Sequence, residues 1–250
     1  MQQQGVEIIP INKDFQITVS PSPIYVPENI LEIVEGIWQS DTRESGSQLF
    51  DGKILCATEV SATGLLACTM PYRFFYAQRQ SEIVRDALQI KAVAVSGLIF
   101  HHDKLYFGRR SLSVTQYPDF VELVPSGSLD ANLSVSNGKA DFRRQLVEEL
   151  TEEIGIDEVS DIEPLFLILD YLENTWDICC RITLLPGVIV STGRGVNSKE
   201  YQEIIAVSLS ELTGFLKTNK GYLVLTTQII LQELFSSSLS NATLSSANKE

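Results

Sequence analysis

Residues 141–156, Asp-Phe-Arg-Arg-Gln-Leu-Val-Glu-Glu-Leu-Thr-Glu-Glu-Ile-Gly-Ile, constrain this chain more than any other stretch. Asp141 can cap a helix that runs through Ile154, and Gly155 can close it as the first residue past its end. At about 100° per residue, Glu149, Glu152 and Glu153 fall within an arc of roughly 100°. Val147, Leu150 and Ile154 occupy the neighbouring arc and predict packing on a sheet. Carboxylates three and four residues apart on a helix repel one another. Water screening on a solvated face tolerates that repulsion, and so does a divalent cation that gathers the oxygens. Hard oxygen ligands of this kind suit Mg²⁺ or Mn²⁺.

Charge narrows the choice of partners. The 250-residue chain carries 19 Lys and Arg against 32 Asp and Glu, a net charge of −13. Such a surface repels phosphate backbones and anionic lipid, so neither a nucleic acid nor a membrane is expected as a partner. An anionic substrate then needs a few placed cations or a metal. No run approaches the roughly 18 apolar residues of a membrane span. The start, Met1-Gln2-Gln3-Gln4-Gly5, lacks the basic and apolar regions of a signal peptide. Cytoplasmic localisation is the expectation. The four cysteines, Cys56, Cys68, Cys179 and Cys180, form no zinc-type pair and read as small buried hydrophobes. The adjacent His101 and His102 precede Asp103-Lys104 and read as a hairpin turn, leaving histidine catalysis weakly supported.

Along the chain, Val6–Ile9 and Phe15–Val19 predict short strands, and Pro27 opens a helix with Ile30, Ile33, Val34, Ile37 and Trp38 on one stripe. The polar stretch 40–48 ends it. Asp51-Gly52 introduces a strand, residues 54–69 read as two strands around Gly64, and Tyr72–Leu88 as one helix. Ala92–Phe100 and Leu105–Arg110 predict a hairpin, and Phe120–Val124 a strand stopped by Pro125-Ser126-Gly127. Residues 128–139 read as a loop. Leu165–Leu169, Ile178–Leu185 and Ile204–Val207 predict strands; Ser210–Thr218 and Thr226–Phe235 predict helices. Strands and helices without regular alternation predict a mixed-sheet α/β domain over 90–235, preceded by a small α+β domain or extension over 1–89. The Ser- and Asn-rich stretch 236–250 predicts a disordered tail.

In that setting the acidic helix resembles the box of the Nudix hydrolase family. The family signature joins a glycine, a glutamate further on, and the run Arg-Glu-apolar-x-Glu-Glu-x-Gly-apolar. Glu149-Leu150-Thr151-Glu152-Glu153-Ile154-Gly155-Ile156 matches its C-terminal half. The strand–turn–strand from Val93, then Gly108-Arg109-Arg110-Ser111 and Phe120–Gly127, are similar to the family's approach to the box. Two positions depart: the family's arginine falls on Glu148 and its first glutamate on Ala140, with extra length between Gly127 and the helix. Arg143 or Arg144 can substitute for that arginine.

The resemblance implies an α/β/α sandwich and Mg²⁺- or Mn²⁺-dependent hydrolysis of a nucleoside diphosphate linked to another moiety. It implies a metal held by Glu149, Glu152, Glu153 and the Gly127 carbonyl, with Glu152 or Glu153 activating water. A downstream glutamate serves some members as base; of Glu200 and Glu203, Glu203 is preferred here and Glu200 reads as a polar strand edge. Arg109, Arg110 and Arg194 are the candidate substrate-binding cations. The N-terminal extension, with Leu49-Phe50-Asp51-Gly52-Lys53, is similar to the branch that hydrolyses UDP-glucose and UDP-galactose, which points to a nucleotide sugar. Family habit implies a homodimer. The alternative is an impaired Nudix domain that binds a nucleotide or a protein without cleaving anything, for which Glu148 and Ala140 argue.

Overall fold

The computed structural model describes residues 2–3, 5–44, 49–114, 116–195 and 198–235. In chain order its first elements are β1 (Gln2–Gln3), β2 (Val6–Pro10), β3 (Gln16–Val19), α1 (Glu28–Glu44), β4 (Lys53–Val60), β5 (Gly64–Pro71), α2 (Tyr72–Gln80) and α3 (Glu82–Leu88). There follow β6 (Ala92–His101), β7 (Lys104–Arg110), β8 (Val121–Leu123), β9 (Ser126–Ser128), α4 (Ala131–Ser134), β10 (Val135–Ser136), β11 (Lys139–Ala140) and α5 (Phe142–Ile154). The last are β12 (Val159–Asp170), β13 (Thr175–Leu184), β14 (Gly193–Arg194), β15 (Tyr201–Ser208), α6 (Leu209–Thr218) and α7 (225–235). The fold is mixed α/β, with β3 and β5 parallel and pairs such as β4 with β5 and β7 with β15 antiparallel. No helix among the described residues is long and apolar enough to cross a membrane. The predicted tail, 236–250, lies outside the described residues.

The chain divides into two compact units, Met1–Val95 with Gly127–Gln145 and Pro164–Ile178, and Ser96–Ser126 with Leu146–Glu163 and Cys179–Glu250. The core of the first unit is built where α1, α2 and α3 lie on the β4–β5 hairpin: Ile30 and Val34 meet Ile54, Cys56, Cys68, Met70, Phe74, Phe75, Val84 and Leu88. The predicted stripe of α1 supplies this contact, although the helix continues past Ser40 to Glu44. The single helix expected over 72–88 is two. Ser81 is extended (φ −137°), and its hydroxyl accepts from the Val84 N–H, so it ends α2 and caps α3. The loop expected over 128–139 also contains structure. Asp130 caps α4 through the Asn132 N–H at 2.7 Å, and Asn137-Gly138, both at positive φ, turn β10 into β11.

The second unit is organised around β7. On one side β7 pairs with β8, on the other with β15, and its start is joined to β6 by His102-Asp103. Both turn residues have positive φ, as the tightest hairpins require. The ends of β8 are pinned by α7 and the segment before it. The Val121 N–H donates to the Tyr222 carbonyl (2.6 Å) and the Leu123 N–H to the Thr227 hydroxyl (2.9 Å). Glu122 stands between these two anchors.

Helix α5 has the predicted limits and caps. Asp141 Oδ1 accepts from the N–H groups of Arg143 and Arg144, both at 3.1 Å, and Gly155 (φ +73°) ends the helix with its N–H on the Thr151 carbonyl. Asp141→Ala should cost about 1 kcal/mol of stability by removing that cap. A urea midpoint unchanged by Asp141→Ala would show that the cap does not hold the helix, while Asp141→Asn should stay near wild type.

Candidate active site

The inward face of α5 is not the one that the Val147–Leu150–Ile154 arc suggests. Phe142, Leu146 and Leu150 are fully buried, whereas Val147 and Ile154 are half-buried. The buried stripe thus runs 142, 146, 150, with Glu153 within its arc and Glu149 at its edge. Glu153 is 3% exposed, Glu149 half-buried, and Glu152 exposed. The three glutamates are therefore split: two turn toward the protein and one stays at the rim.

Glu153 faces a second group of polar side chains carried by the strands around β7. Glu122 on β8 sits opposite Gly108 on β7, and Gly108 sits opposite Ile204 on β15. From β15 to β8 is two strand spacings, about 9–10 Å. The Tyr201 ring bridges that distance by lying over Gly108, where a Cβ would stand only 2.5 Å from the ring carbons. Its hydroxyl donates to Glu122 Oε1 at 2.8 Å and is directed also toward Glu153 Oε1 at 3.4 Å. The Ser126 N–H donates to the same Glu153 oxygen at 3.4 Å. Arg110, one strand position beyond Arg109, closes the group: its Nη1 pairs with Glu122 Oε1 and lies 3.7 Å from Glu200 Oε2. Ser198 orients the entry to β15 by accepting from the N–H groups of Glu200 (3.1 Å) and Tyr201 (3.2 Å).

These neighbours set the electrostatics. Burial first, then the charges of Glu149, Glu122 and Glu200, push the Glu153 carboxyl well above the usual carboxylate range, against a small opposing contribution from the Ser126 N–H. Glu200 is raised by partial burial and by Glu122 and Glu152, with Arg110 pulling the other way. Tyr201 is held well above its ordinary value by burial and by Glu122 and Glu153, so it remains a proton donor. Glu153 Oε2 is buried and has no hydrogen-bond partner among the described residues. A buried carboxylate oxygen normally has one. An oxygen-only donor set with one orphaned buried oxygen fits a hard divalent cation. Among the described residues no three Asp, Glu, His or Cys side chains already form a group able to hold a metal ion, so a bound cation requires the rim carboxylates to turn inward.

The residues singled out in the sequence separate along these lines. Glu149 and Glu153 meet in the cluster, and Glu152 reaches it through its effect on Glu200. Glu203 does not join it: successive strand residues face opposite ways, and Glu203 pairs with Arg109 (3.8 Å). Arg109 also donates to Asn219 Oδ1 and the Asp119 carbonyl, both at 3.2 Å, so its guanidinium is used in holding loops. Arg110 is 13% exposed at its side chain and paired with Glu122. Arg194 is exposed on β14. Gly127 belongs to the first unit. Arg143 lies over the Phe142 ring and donates to the Lys13 carbonyl, while Arg110 meets the acidic group. Glu122 and Tyr201 were not singled out. Glu122 carried a usable signal, being the one charge inside the apolar run Phe120–Val124.

No family model matches the chain, and no curated protein matches it in sequence. Among solved structures, Tm1382, described as a candidate Nudix hydrolase, is 15% identical over 79% of this chain and 95% of its own, with a TM-score of 0.43. The Nudix domain of Shewanella oneidensis NrtR, solved with ADP ribose, is 15% identical, covering 49% of this chain and 75% of that one, TM-score 0.38. A Nudix hydrolase from Nitrosomonas europaea is 16% identical, covering 66% and 77%, TM-score 0.33.

The raised Glu153 gives a pH signature. Because its folded-state value lies above the ordinary 4.5, the native state binds more protons than the unfolded one as pH rises past 4.5, and stability falls over that window. In a chelator, Glu153→Gln should therefore raise the unfolding midpoint at pH 7–8, with the gain vanishing near pH 4. An equal or lower midpoint at pH 7–8 would contradict the burial of this charge.

Proposed function

We propose that this chain is a divalent-cation-dependent pyrophosphohydrolase of the Nudix type, cleaving a nucleoside diphosphate linked to another moiety. A nucleotide sugar is the substrate class that the sequence resemblance favours. The observation that carries the reading is the orphaned, buried Oε2 of Glu153 beside Glu149 on the inward face of α5. A protein gains nothing in stability from burying a carboxylate among others, since an uncompensated buried charge costs several kcal/mol. Glu149 and Glu153 would hold Mg²⁺ or Mn²⁺, with Glu152 completing the set from the rim. When bound, the cation supplies Lewis acidity toward a pyrophosphate oxygen and toward the attacking water.

The chain's own residues do the rest. Glu200, at the rim with its carboxyl raised, takes the proton from water as the oxygen attacks phosphorus. The new P–O bond forms as the bridging P–O bond breaks, and the bridging oxygen leaves with its electron pair as a phosphate monoester. Nucleoside monophosphate and the phosphate of the other moiety are the products. Arg110 holds Glu122 and lies close to Glu200, so it keeps the base oriented without contacting substrate. A second reading, a domain that binds a nucleotide without cleaving it, is favoured by Glu148 and Ala140 in the box and by the commitment of Arg110 to Glu122.

A screen of nucleotide sugars, ADP-ribose and dinucleotide polyphosphates with Mg²⁺ or Mn²⁺ separates the two. The hydrolase reading expects turnover that requires the cation. Glu200→Gln should then lower kcat by about 10²–10⁴-fold, the usual contribution of a general base, whereas Glu203→Gln should stay close to wild type. Nucleotide binding with no product under any condition would establish the binding module instead.

A further inference from the structure

Glu153 is held through one of its two oxygens only. Oε1 receives the Ser126 N–H and lies in the path of the Tyr201 hydroxyl, both at 3.4 Å, while Oε2 faces no donor among the described residues. The Tyr201 hydroxyl is itself fixed at 2.8 Å to Glu122 Oε1, which Arg110 Nη1 grips from the other side. Glu153, Tyr201 and Glu122 are each 8% exposed or less, and the Arg110 side chain is 13% exposed. The ring reaches its place because Gly108 leaves the strand bare beneath it; any side chain there would collide with it.

From this we infer that Tyr201 is a positioning residue for a divalent cation: anchored by Glu122 and Arg110, it fixes Oε1 of Glu153 so that Oε2 is presented as the single ligating oxygen. The inference rests on the metal-centred reading of the site and extends it to residues outside the acidic helix. Outer partners of this kind set a ligand's orientation, and their loss typically costs 10–100-fold in metal affinity. Packing alone makes a different demand on Tyr201. It needs the ring and not the hydroxyl.

Tyr201→Phe keeps the ring and removes the hydroxyl. Mn²⁺ binding to the full chain, followed by the EPR signal of free Mn²⁺, should weaken by about tenfold or more, with the unfolding midpoint in chelator no lower than wild type. If Tyr201→Phe binds Mn²⁺ as wild type does, the positioning role falls and the metal reading stands. If wild type binds no Mn²⁺, both fall. Glu122→Gln leaves the ring and its packing in place and provides the same test should Tyr201→Phe not fold: weakened Mn²⁺ binding supports the role, and unchanged binding overturns it.

Discussion

One buried carboxylate organises this structure. Glu153 is enclosed with Glu149, Glu122 and Glu200 near enough to raise its proton affinity, and the Arg110 guanidinium stands among them. Arg110 is engaged with Glu122, so its charge reaches Glu153 only at second hand. A fold that sought stability alone would place an apolar residue at the 153 position, in line with Phe142, Leu146 and Leu150. The arrangement makes sense as a site that is incomplete until a cation joins it. On the proposed function, a bound cation would also ease the charge problem set by the net −13, since a polyanionic substrate would meet the acidic protein where its carboxylates are neutralised.

The strand order around β7 turns this chemical need into geometry. Glu122 and Tyr201 come from strands on opposite sides of β7, and only a residue without a side chain at 108 lets them meet. Alternation along β7 then sends Arg110 toward Glu122 and Arg109 toward Glu203, Asp119 and Asn219. Adjacent arginines thus have separate tasks: one neutralises and orients the carboxylates, the other ties β7 to the loop at Asp119 and the end of α6.

Local signals in the sequence were read well because their causes are local. Asp141 and Gly155 set the limits of α5 through hydrogen bonds to neighbours in the chain, and the His102-Asp103 turn and the stripe of α1 follow from the same short-range rules. Longer-range properties were harder. Periodicity finds an apolar arc on α5 but not how far it is rotated toward the interior, since the packing partners decide that; Val147 and Ile154 are half-buried while Glu153 is enclosed. The break at Ser81 and the Asn137-Gly138 turn were legible in principle, as a capping serine and a turn dipeptide, inside stretches read too uniformly as helix and loop. The way Glu203 faces depends on a β-bulge or register irregularity between Tyr201 and Glu203, which no spacing rule reports. Tyr201 depended on a three-strand register, and only Glu122 announced itself, as a charge in an apolar strand.

The most direct test is a manganese anomalous difference map from crystals soaked in MnCl₂. The account predicts an ion within direct ligation distance of Glu153 Oε2, roughly 2 Å as for the small hard cations, with Glu149 turned onto it and the Tyr201 hydroxyl still at Glu122. Density confined to exposed carboxylates elsewhere, with Glu153 unchanged in its enclosure, would contradict it.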